Sequence, residues 1–317
     1  MPCVPGMVDH YMEWLEKLFV MLGKPMPAEV HDGLRKLMAQ HLQDGFLAAR
    51  HSEVVFRYEP SEKSTYGISC TIGTRIKSIA DEYSSWVETR QPPLFGTHPD
   101  AKVMAVAAEL GDPAQSRILD VGAGTGRNTL PLARLGYPVD ALEVTPVFVE
   151  QMRTAAVAEG LPVRVVEGDV LDPQVELEGG NYKLALVVEV ISDFRKVEQL
   201  RELLQKMCDR LSPGGLLLFN IFLAVAGYDP DQVVREVSQV MICSLFTRSE
   251  LATAMEGLPL ELISDESVYE YERHHLPPEA WPPVSWFPNW ANGRNLFPLN
   301  DEGVPPMELR WILCLKR

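Results

Sequence analysis

The sequence has no CxxC pair, no Cys/His cluster at metal-ligand spacing and no block of lysine and arginine. Its five cysteines, at positions 3, 70, 208, 243 and 314, are odd in number and irregular in spacing. That argues against a disulfide framework and a zinc site, and it suits a reducing cytoplasm. Basic residues number 29 against 44 acidic ones, a formal charge of −15 spread along the chain. A surface that tracks nucleic-acid phosphates is therefore not expected, and small or cationic ligands fit better. A membrane-spanning run is lacking too. The opening stretch "MPCVPGMVDHYMEWLEKLFVMLGKPM" is broken by Asp9, His10, Glu13, Glu16 and Lys17, so it reads as an amphipathic helix rather than a signal peptide or a span. The expectation is a soluble, cytoplasmic protein with neither membrane nor nucleic acid as partner and with no bound metal.

What is present is 317 residues, 46% of them hydrophobic and 23% charged, enough for one large domain with an appendage or for two domains. Helical spacing of apolar residues marks 9–24 and 28–49, separated by Pro25 and Pro27. Two β-like runs follow, "EVVFRY" (53–58) and "GISCTIG" (67–73), joined by the turn-rich "EPSEKST". From about residue 100 short apolar runs alternate with helical patterns. Strands are expected at 117–122, 139–144, 163–169, 184–190 and 215–222, with helices near 100–110 and at 126–135, 146–159 and 194–211. This alternation is the mark of a parallel sheet covered on both faces. A helix near 247–256, a sixth strand over 260–271 and a seventh over 308–317 complete the pattern. Between the last two lies "ERHHLPPEAWPPVSWFPNWANGRNLFPLNDEGVPP", which holds three of the six tryptophans. A loop of that length inside a compact domain is usually functional or disordered, and its aromatic content argues against disorder.

The stretch "LDVGAGTGRN" (119–128) stands where the first of these strands meets its helix, with glycine at 122, 124 and 126. Glycines at such a turn open backbone conformations closed to other residues and let a ligand reach the main chain, where the helix N-terminus offers free N–H groups. A nucleotide-like ligand is expected. The dinucleotide fingerprint GxGxxG fails because Arg127 occupies its last position, and no Lys-Ser/Thr pair follows for a phosphate loop.

The spacing that remains, Asp120-x-Gly122-x-Gly124-x-Gly126, resembles motif I of the class I S-adenosylmethionine-dependent methyltransferases. The likeness is close over about 100–223 and looser over the last two strands. It implies a Rossmann-like seven-stranded sheet, mostly parallel with an antiparallel last strand, helices on both faces, and a helical N-terminal extension. It also implies S-adenosylmethionine as cofactor, S-adenosylhomocysteine as product and a small-molecule acceptor. Gly122, Ala123, Gly124, Gly126 and Asn128 would form the cofactor turn. Asp120 would organise the loop or reach the cofactor's ammonium group through water. Glu143, followed by Val144, matches the acid that accepts both ribose hydroxyls, and Gly168-Asp169-Val170 matches the adenine-binding segment. "LSPGGLLLF" (211–219) matches the turn entering the fifth strand. Taken singly, an acid such as Glu143 at a strand end is more often a helix cap or a surface charge, and the alternative for Asp169 is a turn residue. Lys183 stands where the family often has an aspartate, and the Asp/Asn-Pro-Pro-Tyr/Phe motif is missing from "VEVISDFR". Within the family, "GAGTGRNTLPLARLGYPVDALEVTP" is most similar to the TehB-type tellurite-resistance and thiopurine-methyltransferase-like group.

Methyl transfer is an in-line displacement, so the acceptor must be aligned, water excluded and, for a weak nucleophile, a proton removed. Glu189, Ser192 and Asp193, at the end of the fourth strand, are the best-placed polar groups; Glu189 is a candidate for contact with acceptor or cofactor, against a structural hydrogen bond. Ahead of the domain, Tyr83, Trp86, Phe95 and His98 are candidates for a lid, with sheet-edge packing or a helix cap as the alternatives. Catalytic roles fall to Glu189, Tyr83 and His98, and acceptor contacts to Trp86, Ser192, Trp281 and Trp286. An aromatic box built on the insertion's tryptophans could hold a cation at about 0.5–2 kcal/mol per ring; the alternative is that they bury the proline-rich loop. His274 and His275 read as surface residues. For a carboxylate-bearing acceptor, Arg57, Arg75, Arg248 and Arg294 are all candidate clamps. The expected organisation is an extension and substrate cap over 1–99 and a methyltransferase domain over 100–317, with a lid insertion at about 272–307. A homodimer is compatible with it. No general base announces itself, so the acceptor leans to sulfur or another chalcogen. A nitrogen or oxygen acceptor, or a non-catalytic cofactor-binding scaffold, are the alternatives.

Overall fold

The computed structural model describes residues 1–63, 67–177, 181–297 and 303–317. The end of the turn at 59–65 and the stretch 298–302 of the insertion therefore lie outside the described residues. The chain divides into two compact units, Met1–Tyr83 with Asp231–Val240, and Ser84–Pro230 with Met241–Arg317. The division falls earlier than the expected boundary at residue 99, and a segment from the middle of the chain joins the first unit.

In the first unit, α1 (Val8–Met21) and α2 (Ala28–Ala48) precede an antiparallel hairpin of β1 (Glu53–Pro60) and β2 (Ile68–Arg75). Tyr11, Met12 and Leu15 on α1 meet Met38 and Leu42 on α2 and Val54 on β1 in one small core. Gly45 is required there, because a Cβ would stand 2.4 Å from the Cys3 sulfur. Two helices carry no expectation from the sequence: α3 (Ile79–Thr89), which crosses the division, and a later one at Gln232–Val240, whose Glu236 accepts from the Gly6 N–H at 2.7 Å.

The second unit is built on α4 (Ala101–Ala108), β3 (Ile118–Val121), α5 (Thr129–Arg134), β4 (Val139–Glu143), α6 (Pro146–Glu159), β5 (Val163–Glu167), β6 (Tyr182–Val187), α7 (Val197–Arg210) and β7 (Leu211–Ala224). The helix at Gln232–Val240 is α8. The chain continues through β8 (Leu245–Phe246), α9 (Arg248–Met255), β9 (Leu260–Ser267), α10 (Val268–His275), α11 (Phe287–Ala291) and β10 (Met307–Lys316). Strand order is β5-β4-β3-β6-β7-β10-β9, with the two-residue β8 on β7. β10 runs antiparallel to both neighbours, and the pairings among β3 to β7 are parallel. This is the Rossmann-like sheet implied by the resemblance, with one short strand added. β3 and β4 are buried at every position, as central parallel strands sandwiched by helices must be.

The sixth strand stops at Ser267, four residues short of the expected end. There the Ser267 hydroxyl accepts from the Glu270 N–H and opens α10. Ser-Val-Tyr-Glu is a helix-capping signal, and it overrides the strand propensity of its valine and tyrosine. Likewise α5 begins only at Thr129, because the turn through Gly126 occupies the residues before it.

Candidate active site

β3 delivers its chain into a turn in which Gly122, Gly124 and Gly126 all have left-handed backbones, with φ of 70°, 56° and 84°. Their reasons differ. A Cβ on Gly122 would lie 2.3 Å from a Val190 methyl, and one on Gly126 would lie 3.0 Å from Leu130 Cγ, so both sites are closed by packing. At Gly124 a Cβ would find only the Phe95 ring, at 4.0 Å, so this side of the turn is open to a ligand approaching the main chain. The turn is fixed to the next strand by the N–H groups of Gly122 and Ala123, both donating to the Leu142 carbonyl.

Asp120 ends below this turn, buried, accepting from the Thr129 hydroxyl at 2.6 Å. Burial pushes its carboxyl up to about 7, with the Thr129 hydrogen bond opposing. It braces the start of α5. Glu143, at the end of β4, accepts from the Thr145 N–H at 2.7 Å with one oxygen and from the Gly124 N–H at 2.8 Å with the other. Beside it Val144 is partly exposed. The Gly168 N–H returns to the Glu143 carbonyl at 2.9 Å, which brings the end of β5 to the same place. Asp169 is exposed, with one oxygen taken by the Leu171 N–H at 2.8 Å, while Val170 turns inward.

On the other flank the Arg127 guanidinium reaches Asp100 at 2.6 Å and Glu189 at 2.8 Å. Asp100 also exchanges two hydrogen bonds with Asn128, each at 2.9 Å. The first two N–H groups of α4 donate to Glu272, which also accepts from the Trp311 indole at 3.1 Å. Burial raises the Glu272 carboxyl to about 7. Three groups to which the sequence assigns no role, Asp100, Arg127 and Glu272, thus lie on this flank of the loop. Arg127 is visible in the sequence as the residue closing the glycine run. Glu272 carries no local signal, because its partners lie about 170 positions away.

The lid candidates separate. Trp86 is half-buried, lies under the Arg90 guanidinium at 3.4 Å, and neighbours Phe95, which meets Phe148 edge-on at 5.6 Å. Gly96 abuts Pro283 of the insertion, where a Cβ would stand 3.0 Å from its carbonyl. Tyr83 falls in the first unit. His98 is exposed, its ring beside the Thr97 hydroxyl. It does not cap α4, because Glu272 takes that helix's first N–H groups. Ser192 is buried and donates to the Glu189 carbonyl at 3.0 Å, closing the turn behind that residue.

In the insertion, Trp281 meets Tyr269 and Phe287 at 77° and 90°, and Trp286 meets Trp290 at 85°. Edge-to-face contacts of this kind pack the insertion's aromatic rings against one another. Trp290 is buried and bonded to the Ile242 carbonyl at 2.8 Å, whereas Trp281 and Trp286 keep partial exposure. His274 and His275 are exposed, each with Nδ1 on the carbonyl four residues earlier. Among the described residues no group of His, Cys, Asp and Glu is arranged to hold a metal ion, and no helix is long and apolar enough to cross a membrane.

Residues 118–215 match the model of the methyltransferase domain family. A ubiquinone biosynthesis O-methyltransferase of Xanthomonas axonopodis pv. citri (strain 306) is 29% identical over 130 residues, 41% of this chain and 52% of that protein. The homonymous protein of Caulobacter sp. (strain K31) is 31% identical over 103 residues, 32% of this chain and 39% of that one. The chain thus spans about half the length, or less, of the curated relatives it matches. Among solved structures, a geranyl diphosphate methyltransferase in complex with S-adenosylmethionine superposes with a TM-score of 0.53 at 15% identity, over 68% of this chain and 85% of that one. The second unit shares its Rossmann-like fold with that methyltransferase.

Proposed function

We propose that the second unit binds S-adenosylmethionine on the glycine loop and transfers its methyl group to a small molecule, leaving S-adenosylhomocysteine. The observation that carries this reading is the contact between Glu143 and Gly124, which joins an acid at the end of β4 to the open side of the turn. The donor set fits the cofactor. Each carboxylate oxygen of Glu143 has a second lone pair for a ribose hydroxyl, and exposed Asp169 beside buried Val170 suits an adenine amine and ring. Gly122, Ala123, Gly124 and Gly126 let the main chain be approached, while Asp120 and Asn128 hold the turn in shape.

When bound, the cofactor supplies an electrophilic methyl group on a sulfonium. The remaining work falls to the chain: aligning the acceptor, excluding water and, for a hydroxyl, taking a proton. Glu189 is a partly buried carboxylate on the loop's flank whose pKa is raised by desolvation, which suits a general base. It favours a hydroxyl acceptor, in keeping with the O-methyltransferase names of the curated relatives. The chalcogen acceptor expected from the sequence rests on the lack of such a base; it and a nitrogen acceptor form the other arms of the test. Trp86, Trp281 and Trp286 are the acceptor-side aromatics of this reading, and Ser192 serves it through the turn behind Glu189.

Calorimetric titration with S-adenosylmethionine and S-adenosylhomocysteine tests the cofactor. A turnover screen over phenols, alcohols, amines, thiols and thioethers, read as S-adenosylhomocysteine formed, tests the acceptor. Binding with turnover on hydroxyls is the expected result. Turnover only on thiols would restore the chalcogen reading, binding without turnover would leave a cofactor-binding scaffold, and no binding would remove the proposal.

A further inference from the structure

We propose that Arg127 is a positioning residue, which clamps the Glu189 carboxylate beside the glycine loop by bridging it to Asp100. The inference rests on the reading of the loop as a cofactor site.

Its side chain is 9% exposed, and its two terminal nitrogens are divided between two carboxylates, Asp100 at 2.6 Å and Glu189 at 2.8 Å. A planar fork can span two acids in this way, where a single ammonium satisfies only one with the same geometry. Asp100 is a firm anchor. Its own N–H donates to the Asn128 amide oxygen and its second oxygen accepts from the Asn128 amide nitrogen, so neither partner rotates without breaking the pair.

Glu189 is held at the other end. Its backbone has φ of 61°, a conformation that non-glycine residues keep only when their surroundings enforce it. Here the enforcement is visible: its N–H donates to the Asn220 side chain at 2.7 Å, and its carbonyl accepts from Ser192. The next residue, Val190, lies against Gly122. A left-handed residue at the end of β6 thus aims its carboxylate at the residue that follows the glycine run. The hydrogen bond that this carboxylate accepts comes from Arg127, and so from the loop itself.

The charges that act on Glu189 are Arg127, which stabilises the ionised form, and Asp100, which opposes it. Glu272 adds a further negative charge near Arg127. Burial works against ionisation as well. Three acids thus share one guanidinium, and removing it leaves Glu189 facing like charge in a partly desolvated setting. The Glu189 carboxyl would then take up a proton at a higher pH than before.

The test uses the full chain labelled with carbon-13 at glutamate Cδ, with the Glu189 signal identified by its loss in Glu189→Gln. Its titration midpoint is compared in wild type, Arg127→Met and Arg127→Lys, alongside the S-adenosylmethionine Kd of each at neutral pH. In Arg127→Met the midpoint should rise by about one pH unit or more and the Kd should weaken about tenfold, with Arg127→Lys between it and wild type. A role limited to folding would lower stability in both variants and leave the midpoint where it was. If Arg127→Met fails to fold, Arg127→Lys decides alone, since it keeps the charge but not the fork and still predicts an upward shift. Wild-type binding of S-adenosylmethionine with an unmoved midpoint overturns this inference and spares the reading of the site. Absence of binding in the wild type overturns both.

Discussion

The Gly124 N–H lies 2.8 Å from a carboxylate oxygen of Glu143, so the turn after β3 and the end of β4 are joined by a charge-assisted hydrogen bond. Glu143 is therefore a brace of the loop as well as a candidate ribose acceptor. Its replacement by alanine should weaken S-adenosylmethionine binding by about tenfold or more and also lower the melting temperature, since bonds to a buried charge contribute about 1.5–3 kcal/mol each. Calorimetry and thermal melting read the two effects separately. Lost stability with unchanged affinity would assign Glu143 to the brace alone.

Gly122 has a left-handed backbone and a Val190 methyl 2.3 Å from where its Cβ would be. Gly122→Ala should destabilise the protein by about 1–3 kcal/mol through overpacking and backbone strain together. Adding Val190→Ala should relieve the packing part. Melting curves of the single and double variants check this; a double variant no better than Gly122→Ala would place the whole cost in the backbone.

Asp120 titrates near 7 in the folded chain, well above the ordinary aspartate value of 3.8, because it is buried. The folded state therefore holds this proton more tightly than the unfolded state does. Its contribution favours folding at low pH and is lost as pH rises from about 4 to about 7, at about 1.4 kcal/mol for each pH unit crossed. Asp120→Asn keeps an acceptor for Thr129 and removes the titration. Its stability relative to wild type should climb across that range and level off above it, as denaturant melts at a series of pH values would reveal. A constant difference between the two proteins would show that Asp120 is not the titrating group.

Trp290 and Trp281 look alike in the sequence and differ in the fold. Trp290 is buried against Phe222 and bonded through its indole to Ile242, so Trp290→Ala should cost about 3–5 kcal/mol of stability. Trp281 is half-buried, and Trp281→Ala should act mainly on the KM for the acceptor found in the turnover screen. Equal losses of stability in both would make the insertion a packing element throughout.

Much of this architecture was legible because parallel strands and their helices impose strict local patterns. β3, β4 and β6 are short apolar runs, and the turns between them carry their glycines and acids at spacings that one strand-helix unit repeats. The resemblance of Asp120 to Gly126, Glu143 and Asp169 to one family follows from that regularity. The missed elements have local causes. Ser267 and Glu270 write a helix start inside a run of strand formers, and α3 and α8 are short, at 11 and 9 residues, so only two or three turns of apolar spacing mark them.

The sequence by itself determined the alternation of strands and helices, the glycine turn and the acids that end β4 and β5, because each is set by backbone geometry within a few residues. Only the tertiary structure decided which groups face that turn. Asp100, Arg127, Glu189 and Glu272 are scattered over about 170 positions and come together only when β3, β6, α4 and α10 are packed. Burial then raises the pKa of the Glu189 and Glu272 carboxyls, and burial belongs to the folded neighbourhood of a residue rather than to its place along the chain.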